Sequence, residues 1–133
     1  MSEHDVSPLI LISDDPWLRG EMARRFHGLL WNSLCFATWE DAREAISTER
    51  PPVIVSDRDW DELLALAAQE APPPLVVALC PTIESFSRAL KAGVYDAVLQ
   101  PFEAMEPMWT IACALHFATG RISGREEAPC GAP

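Results

Sequence analysis

The chain has 133 residues, a length suited to one domain around one core. Apolar residues make up 49% of it, which excludes a disordered chain. Twenty acidic residues against ten basic ones leave a formal charge of -10, which argues against a nucleic-acid surface or an anionic membrane as partner.

Residues 1–7 read as an N-terminal arm, and the opening MSEHDVSP is polar and acidic, without the pattern of a signal peptide. LILIS (9–13) is a continuous apolar run bounded by Pro8 and Asp14, as in a strand buried on both faces. Leu18, Met22, Arg25 or Phe26, and Leu29 then recur at helical spacing behind Pro16, a residue suited to a first helical turn. SLCFA (33–37) predicts a second strand. Thr38, three residues before Asp41, predicts the N-cap of a short helix carrying Ala42, Ala45 and Ile46 inward, stopped by Pro51 and Pro52.

VIVSD (53–57) predicts a third strand, followed by a short helix through Leu63, Leu64 and Ala67. LVVAL (75–79) predicts a fourth strand after prolines 72 to 74. Thr82 or Ser85 opens the next helix, with Ile83, Phe86, Ala89 and Leu90 inward and Gly93 at its end. AVLQ (97–100) predicts a fifth strand. Pro101 and Pro107 bracket the last helix, whose Met108, Ile111, Ala112 and Leu115 form one stripe up to Gly120. Residues 120–133 have turn-forming composition and no periodicity, as in a tail or linker.

No apolar run approaches the roughly 20 residues that span a bilayer. Cys35, Cys80, Cys113 and Cys130 are scattered, with no CxxC and no histidine at metal-ligand spacing. All four are expected to be buried free thiols in a reducing cytoplasm. Strand–helix alternation repeated five times predicts an α/β doubly wound fold, a parallel sheet covered by helices on both faces.

In such sheets ligands bind beyond the carboxyl ends of the strands, where the strand order reverses. Asp14 and Asp15 follow the first strand and Asp57 ends the third, so three carboxylates are expected to converge on one crevice. Clustered hard oxygens favour Mg²⁺ or Mn²⁺. Like-charge repulsion there predicts that Asp14→Asn or Asp57→Asn stabilises the metal-free protein. A phosphate-cradling loop of Gly, Ser and Thr is missing after the first strand, where SDDPWLRG offers carboxylates, so a flavin or nucleotide binder is disfavoured. Neither a GxSxG motif nor clustered histidines support Ser/His/Asp hydrolysis.

Taken together, ISDDPWLR (12–19), VIVSD (53–57), ALKAGVYDAV (89–98) and QPF (100–102) resemble the receiver domain of bacterial two-component response regulators, over residues 8–119. The resemblance implies the flavodoxin-like strand order 2-1-3-4-5. It implies a cytoplasmic signalling domain in a phosphorelay rather than an enzyme. Asp57 would be the phosphoacceptor, served by a histidine kinase. Asp14, Asp15, Asp57 and the backbone carbonyl of Asp59 would hold Mg²⁺, which neutralises charge gathering on the transferring oxygens. Partners, including a second copy, would use the face of the fourth helix, fifth strand and fifth helix.

Three positions depart from the family pattern. Gln100 stands where a lysine is expected. Ala78, or Leu79 if one gap is allowed, stands at the Ser/Thr switch position, and Ala97 stands at the aromatic switch position. The usual Pro-Gly loop after the phosphoacceptor is also replaced by RDWDELL (58–64). Arg58 would replace the lost lysine's charge only if this shortened loop bends, because otherwise it leaves the strand on the wrong side. Without a hydroxyl and a ring to move, phosphorylation has no two-state element to act on. The function expected is therefore a degenerate receiver acting as a phosphorylation-independent protein-interaction module. The alternative is an active Mg²⁺-dependent phosphoacceptor.

Overall fold

The computed structural model describes residues 7–100 and 106–122. Five strands alternate with five helices: β1 (Leu9–Ile12), α1 (Pro16–Gly28), β2 (Ser33–Phe36), α2 (Trp39–Glu49), β3 (Val53–Ser56), α3 (Trp60–Ala67), β4 (Leu75–Cys80), α4 (Ile83–Ala92), β5 (Asp96–Leu99) and α5 (Glu106–Ile122). The strands form one parallel sheet in the order β2-β1-β3-β4-β5. Every residue of β1 and β3 is buried, as their unbroken apolar runs require, whereas edge strand β2 is half-exposed.

Side chains alternate across the pleat and build two cores. Leu9, Leu11, Val53, Val55, Val77 and Leu79 face α1 and α5, meeting Met22, Phe26 and Ile111. Ile10, Ile12, Ile54, Val76 and Ala78 face α2, α3 and α4, meeting Ile46, Leu63 and Ala89. Leu11 and Ile12 thus lie in different cores although they are neighbours in sequence.

Helix starts follow local chemistry. Thr38 caps α2 through its hydroxyl, which accepts from Asp41 N at 3.1 Å. Thr82, not Ser85, caps α4, and the two side chains form a reciprocal capping box. Gly93 ends α4 with φ +105°, a left-handed conformation that costs a residue with a Cβ.

Several inward assignments change. Leu29 is exposed because it caps the end of α1 rather than continuing its face. On α4, Ser85 and Ala89 face the sheet, Phe86 is half-buried, and Ile83 and Leu90 are 70% and 45% exposed. The small pair one turn apart brings α4 close to the sheet, and this turns the larger apolar residues outward. On α5 the buried stripe is Met108, Ile111, Ala114 and Ala118, with Leu115 at its margin and Ala112 exposed. That helix runs through Gly120 to Ile122. Among the cysteines, Cys80 is a buried free thiol, Cys35 is free but exposed, and Cys113 is disulfide-bonded rather than free. Pro101, Phe102 and Cys130 lie outside the described residues. No described helix is long and apolar enough to cross a membrane.

Candidate functional site

The carboxyl ends of β1, β3, β4 and β5 open on a crevice of about 320 Å³, with Asp14, Asp15, Asp57, Arg58, Leu79 and Gln100 among its walls. Strand pairing sets the site. Ser13 N donates to Phe36 O at 3.0 Å, and Asp57 N donates to Ile12 O at 3.3 Å, so the tips of β1 and β3 lie side by side. Gln100 is fixed at the end of β5 by its N–H, which donates to Cys80 O at 2.8 Å.

Asp57 is held in place by Ser13. The fully buried Ser13 hydroxyl donates to Asp57 Oδ2 at 2.7 Å and accepts from Asp15 N at 3.1 Å. The other oxygen, Asp57 Oδ1, is the one buried side-chain N or O atom among the described residues without a hydrogen bond. Burial raises the Asp57 pKa above the ordinary carboxylate range. The Ser13 hydrogen bond and the Arg58 charge oppose that rise, and the Asp14 charge adds to it.

The sharp turn after β3 is built on a second buried serine. Ser56 Oγ donates to Arg58 O at 2.7 Å and accepts from Arg58 N at 3.1 Å, while Trp60 Nε1 donates to Ser56 O at 2.9 Å. Asp59 completes the turn with φ +57°. The bend aims Arg58 back over the crevice. Its Nη2 lies 2.8 Å from Asp14 Oδ1, and its Nε lies 3.5 Å from Asp57 Oδ1.

The structure therefore brings Asp14, Asp15, Asp57 and Gln100 to one crevice, but uses the three carboxylates differently. Asp15, also in the crevice wall, caps α1, its Oδ1 accepting from Trp17 N at 3.0 Å and Leu18 N at 3.4 Å. Asp59 directs its carbonyl into α3, where it accepts from Leu63 N at 3.0 Å. Ala78 points into the core beneath α2, α3 and α4, as does Ala97, and Leu79 is the β4 residue that reaches the crevice. Period-two alternation makes this choice, since neighbouring strand residues face opposite ways.

The Mg²⁺ implied by the sequence resemblance does not fit these residues as they stand. Of the three carboxylates at the crevice, Asp14 and Asp57 have a guanidinium between them and Asp15 is engaged as a helix cap, and no group of three or more His, Cys, Asp or Glu among the described residues is placed to hold a metal. Ser13 is not singled out by the sequence pattern, Leu79 is so only as the one-gap alternative to Ala78, and Arg58 only on the condition of a bent loop. The available signals are a polar residue closing an apolar strand and a cation directly after Asp57.

No protein-family model matches this chain, and no curated protein matches it. Solved structures do. A signal receiver domain from Vibrio parahaemolyticus superimposes with a TM-score of 0.77 at 16% identity, over 92% of this chain and 99% of that one. The receiver domain of NtrX from Brucella abortus gives a TM-score of 0.68 at 21% identity, over 80% and 97%. A Burkholderia pseudomallei response regulator with a phosphorylated aspartic acid, calcium ion and citrate gives 0.65 at 16%, over 89% and 71%. With the strand order and the position of the crevice, these likenesses establish that the chain has the fold of response-regulator receiver domains.

Proposed function

We propose that this chain is a receiver-like signalling domain that acts inside the cell as a protein-interaction module without phosphorylation of Asp57. The observation that carries this reading is the crevice wall. Leu79 and Gln100 line the crevice, and in this reading they take the places of the hydroxyl and the lysine that would meet a phosphoryl group. A phosphoryl group carries close to two negative charges at neutral pH. Placed on Asp57 beside Asp14, it would find a neutral amide at the lysine position and no hydroxyl on β4, and the one cation at hand, Arg58, is already paired with both carboxylates. A unit charge at about 4 Å is worth up to about 4 kcal/mol at an effective dielectric of 20, against roughly 1 kcal/mol for a neutral hydrogen bond.

The surface proposed for partners is the edge where α4 and α5 flank β5. Ile83 and Leu90 on α4 and Trp109 on α5 are large, apolar and exposed. Isolated apolar surface residues are ordinary, but three at one edge fit a protein partner. A second copy of the chain is one such partner and a histidine kinase another.

A second reading, an active phosphoacceptor, is favoured by Asp57 Oδ1, a buried carboxylate oxygen that makes no hydrogen bond. Mass spectrometry after incubation with Mg²⁺ and acetyl phosphate separates the two. The proposed function expects no acyl phosphate on Asp57. A near-stoichiometric adduct that disappears in Asp57→Asn overturns it.

A further inference from the structure

We propose that Arg58 is the resident cation of the acidic crevice, excluding divalent metal from it by bridging Asp14 and Asp57. The inference rests on the reading of this crevice as the functional site of a receiver fold. Its test uses no phosphodonor, so it succeeds or fails independently of the acyl-phosphate experiment.

The geometry supplies the argument. Two carboxylates from separate strand ends need a positive charge, and one is already between them. Arg58 Nη2 lies 2.8 Å from Asp14 Oδ1 and its Nε lies 3.5 Å from Asp57 Oδ1. The reach of that side chain is not left to a mobile loop. Both backbone polar groups of Arg58 are hydrogen-bonded to the buried Ser56 hydroxyl, and the Ser56 carbonyl is held by the buried indole N–H of Trp60. The arginine therefore emerges at a fixed point directly after Asp57.

Several of the other oxygens that a metal would draw on already accept hydrogen bonds, which leaves Asp57 Oδ1, next to Arg58, as the one buried side-chain oxygen among the described residues without one. Asp57 Oδ2 accepts from Ser13, Asp15 caps α1, and the Asp59 carbonyl accepts from Leu63 N. Mg²⁺ requires six oxygens at about 2.0–2.1 Å in near-octahedral array. To enter, it would have to displace the guanidinium and gather ligands from one carboxylate on each strand. A planar, permanently charged guanidinium suits two carboxylates from different strands better than a lysine ammonium would. The side chain of Arg58 is 46% exposed, so it sits at the crevice mouth, across the path of an entering ion. The bridge also links the residues after β1 to the β3–α3 turn without any ligand.

The experiment is a titration of the full chain with Mg²⁺, and separately with Mn²⁺, followed by the fluorescence of Trp17 and Trp60 and by the melting temperature. The expected result is no saturable response from the wild type at millimolar cation. Arg58→Gln should show a saturable response with a midpoint at least about tenfold lower, the equivalent of 1.4 kcal/mol. Arg58→Lys, which keeps the charge but loses the planar fork, should fall between them, and it replaces the Gln variant if that fails to fold. Equal midpoints in wild type and variants, or no response from any of them, would overturn the proposal.

Discussion

Replacing Ser13 by alanine tests the arrangement around Asp57 most directly. Ser13 is fully buried, and its hydroxyl provides the one hydrogen bond recorded for the Asp57 side chain. A hydrogen bond to a charged group contributes roughly 1.5–3 kcal/mol, and its loss here leaves a carboxylate that is 16% exposed with only the Arg58 charge, 3.5 Å from Oδ1, to offset burial. A deficit of about 2–3 kcal/mol is expected at pH 7. For a domain of this size that lowers the melting temperature by about 8–12 °C.

The pH dependence has a definite sign. Burial already holds the native Asp57 pKa above its ordinary value, and removing the Ser13 donor raises it further. A native state that binds its proton more readily than the unfolded chain loses stability as pH rises between the two pKa values, and the full loss persists above the native one. The deficit of Ser13→Ala should therefore be largest at neutral pH and shrink to about 1 kcal/mol as Asp57 becomes protonated, where only a neutral hydrogen bond is missing. Urea denaturation of both proteins at pH 7 and pH 4 reads this difference. A deficit of equal size at both pH values, or none at pH 7, would refute the assignment.

Asp57→Asn removes a desolvated charge and leaves the Arg58–Asp14 pair in place. Its melting temperature should exceed that of the wild type at pH 7, with the gain fading as pH falls into the ordinary carboxylate range; differential scanning calorimetry across that range checks it. Asp14→Asn should not stabilise, contrary to the expectation from like-charge repulsion alone. Asp14 is paired with Arg58 and both side chains are about half exposed, so its loss should cost about 0–1 kcal/mol in the same measurement. On α4, Ile83→Glu and Leu90→Glu should each change stability by less than about 0.5 kcal/mol, because both side chains face solvent. Ala89→Leu should cost about 1–3 kcal/mol by overpacking against the sheet, and chemical denaturation of the three variants would show the reverse order if α4 were rotated the other way.

The order of elements was legible in the chain because its signals are local. LILI and VIVS are unbroken apolar runs, Thr38 and Thr82 are capping residues, and Gly93 meets the need for a positive φ. Each of these acts over a few residues, and alternation of strand and helix then leaves few ways to arrange a parallel sheet. Asp57 was legible for the same reason, as a carboxylate at a strand end. Helix faces were less so. A broad apolar arc such as that of Ile83, Phe86, Ala89 and Leu90 satisfies helical spacing in more than one rotation, and only close packing on the sheet chooses Ala89 and Ser85.

Amino-acid order by itself determined the parallel sheet, the layering of its helices and the gathering of acidic residues at one end of it. Tertiary structure alone decided which groups meet Asp14 and Asp57. A one-residue change of register exchanges the two sides of a strand, so the pairing of the sheet decides that Ser13 meets Asp57 and that Leu79, not Ala78, reaches the crevice. The partner of Asp14 is likewise a contact across 44 residues, created when Ser56 folds the chain back and carries Arg58 over the strand ends. Spacing along the chain carries no record of such a contact, because it depends on where the turn points in three dimensions.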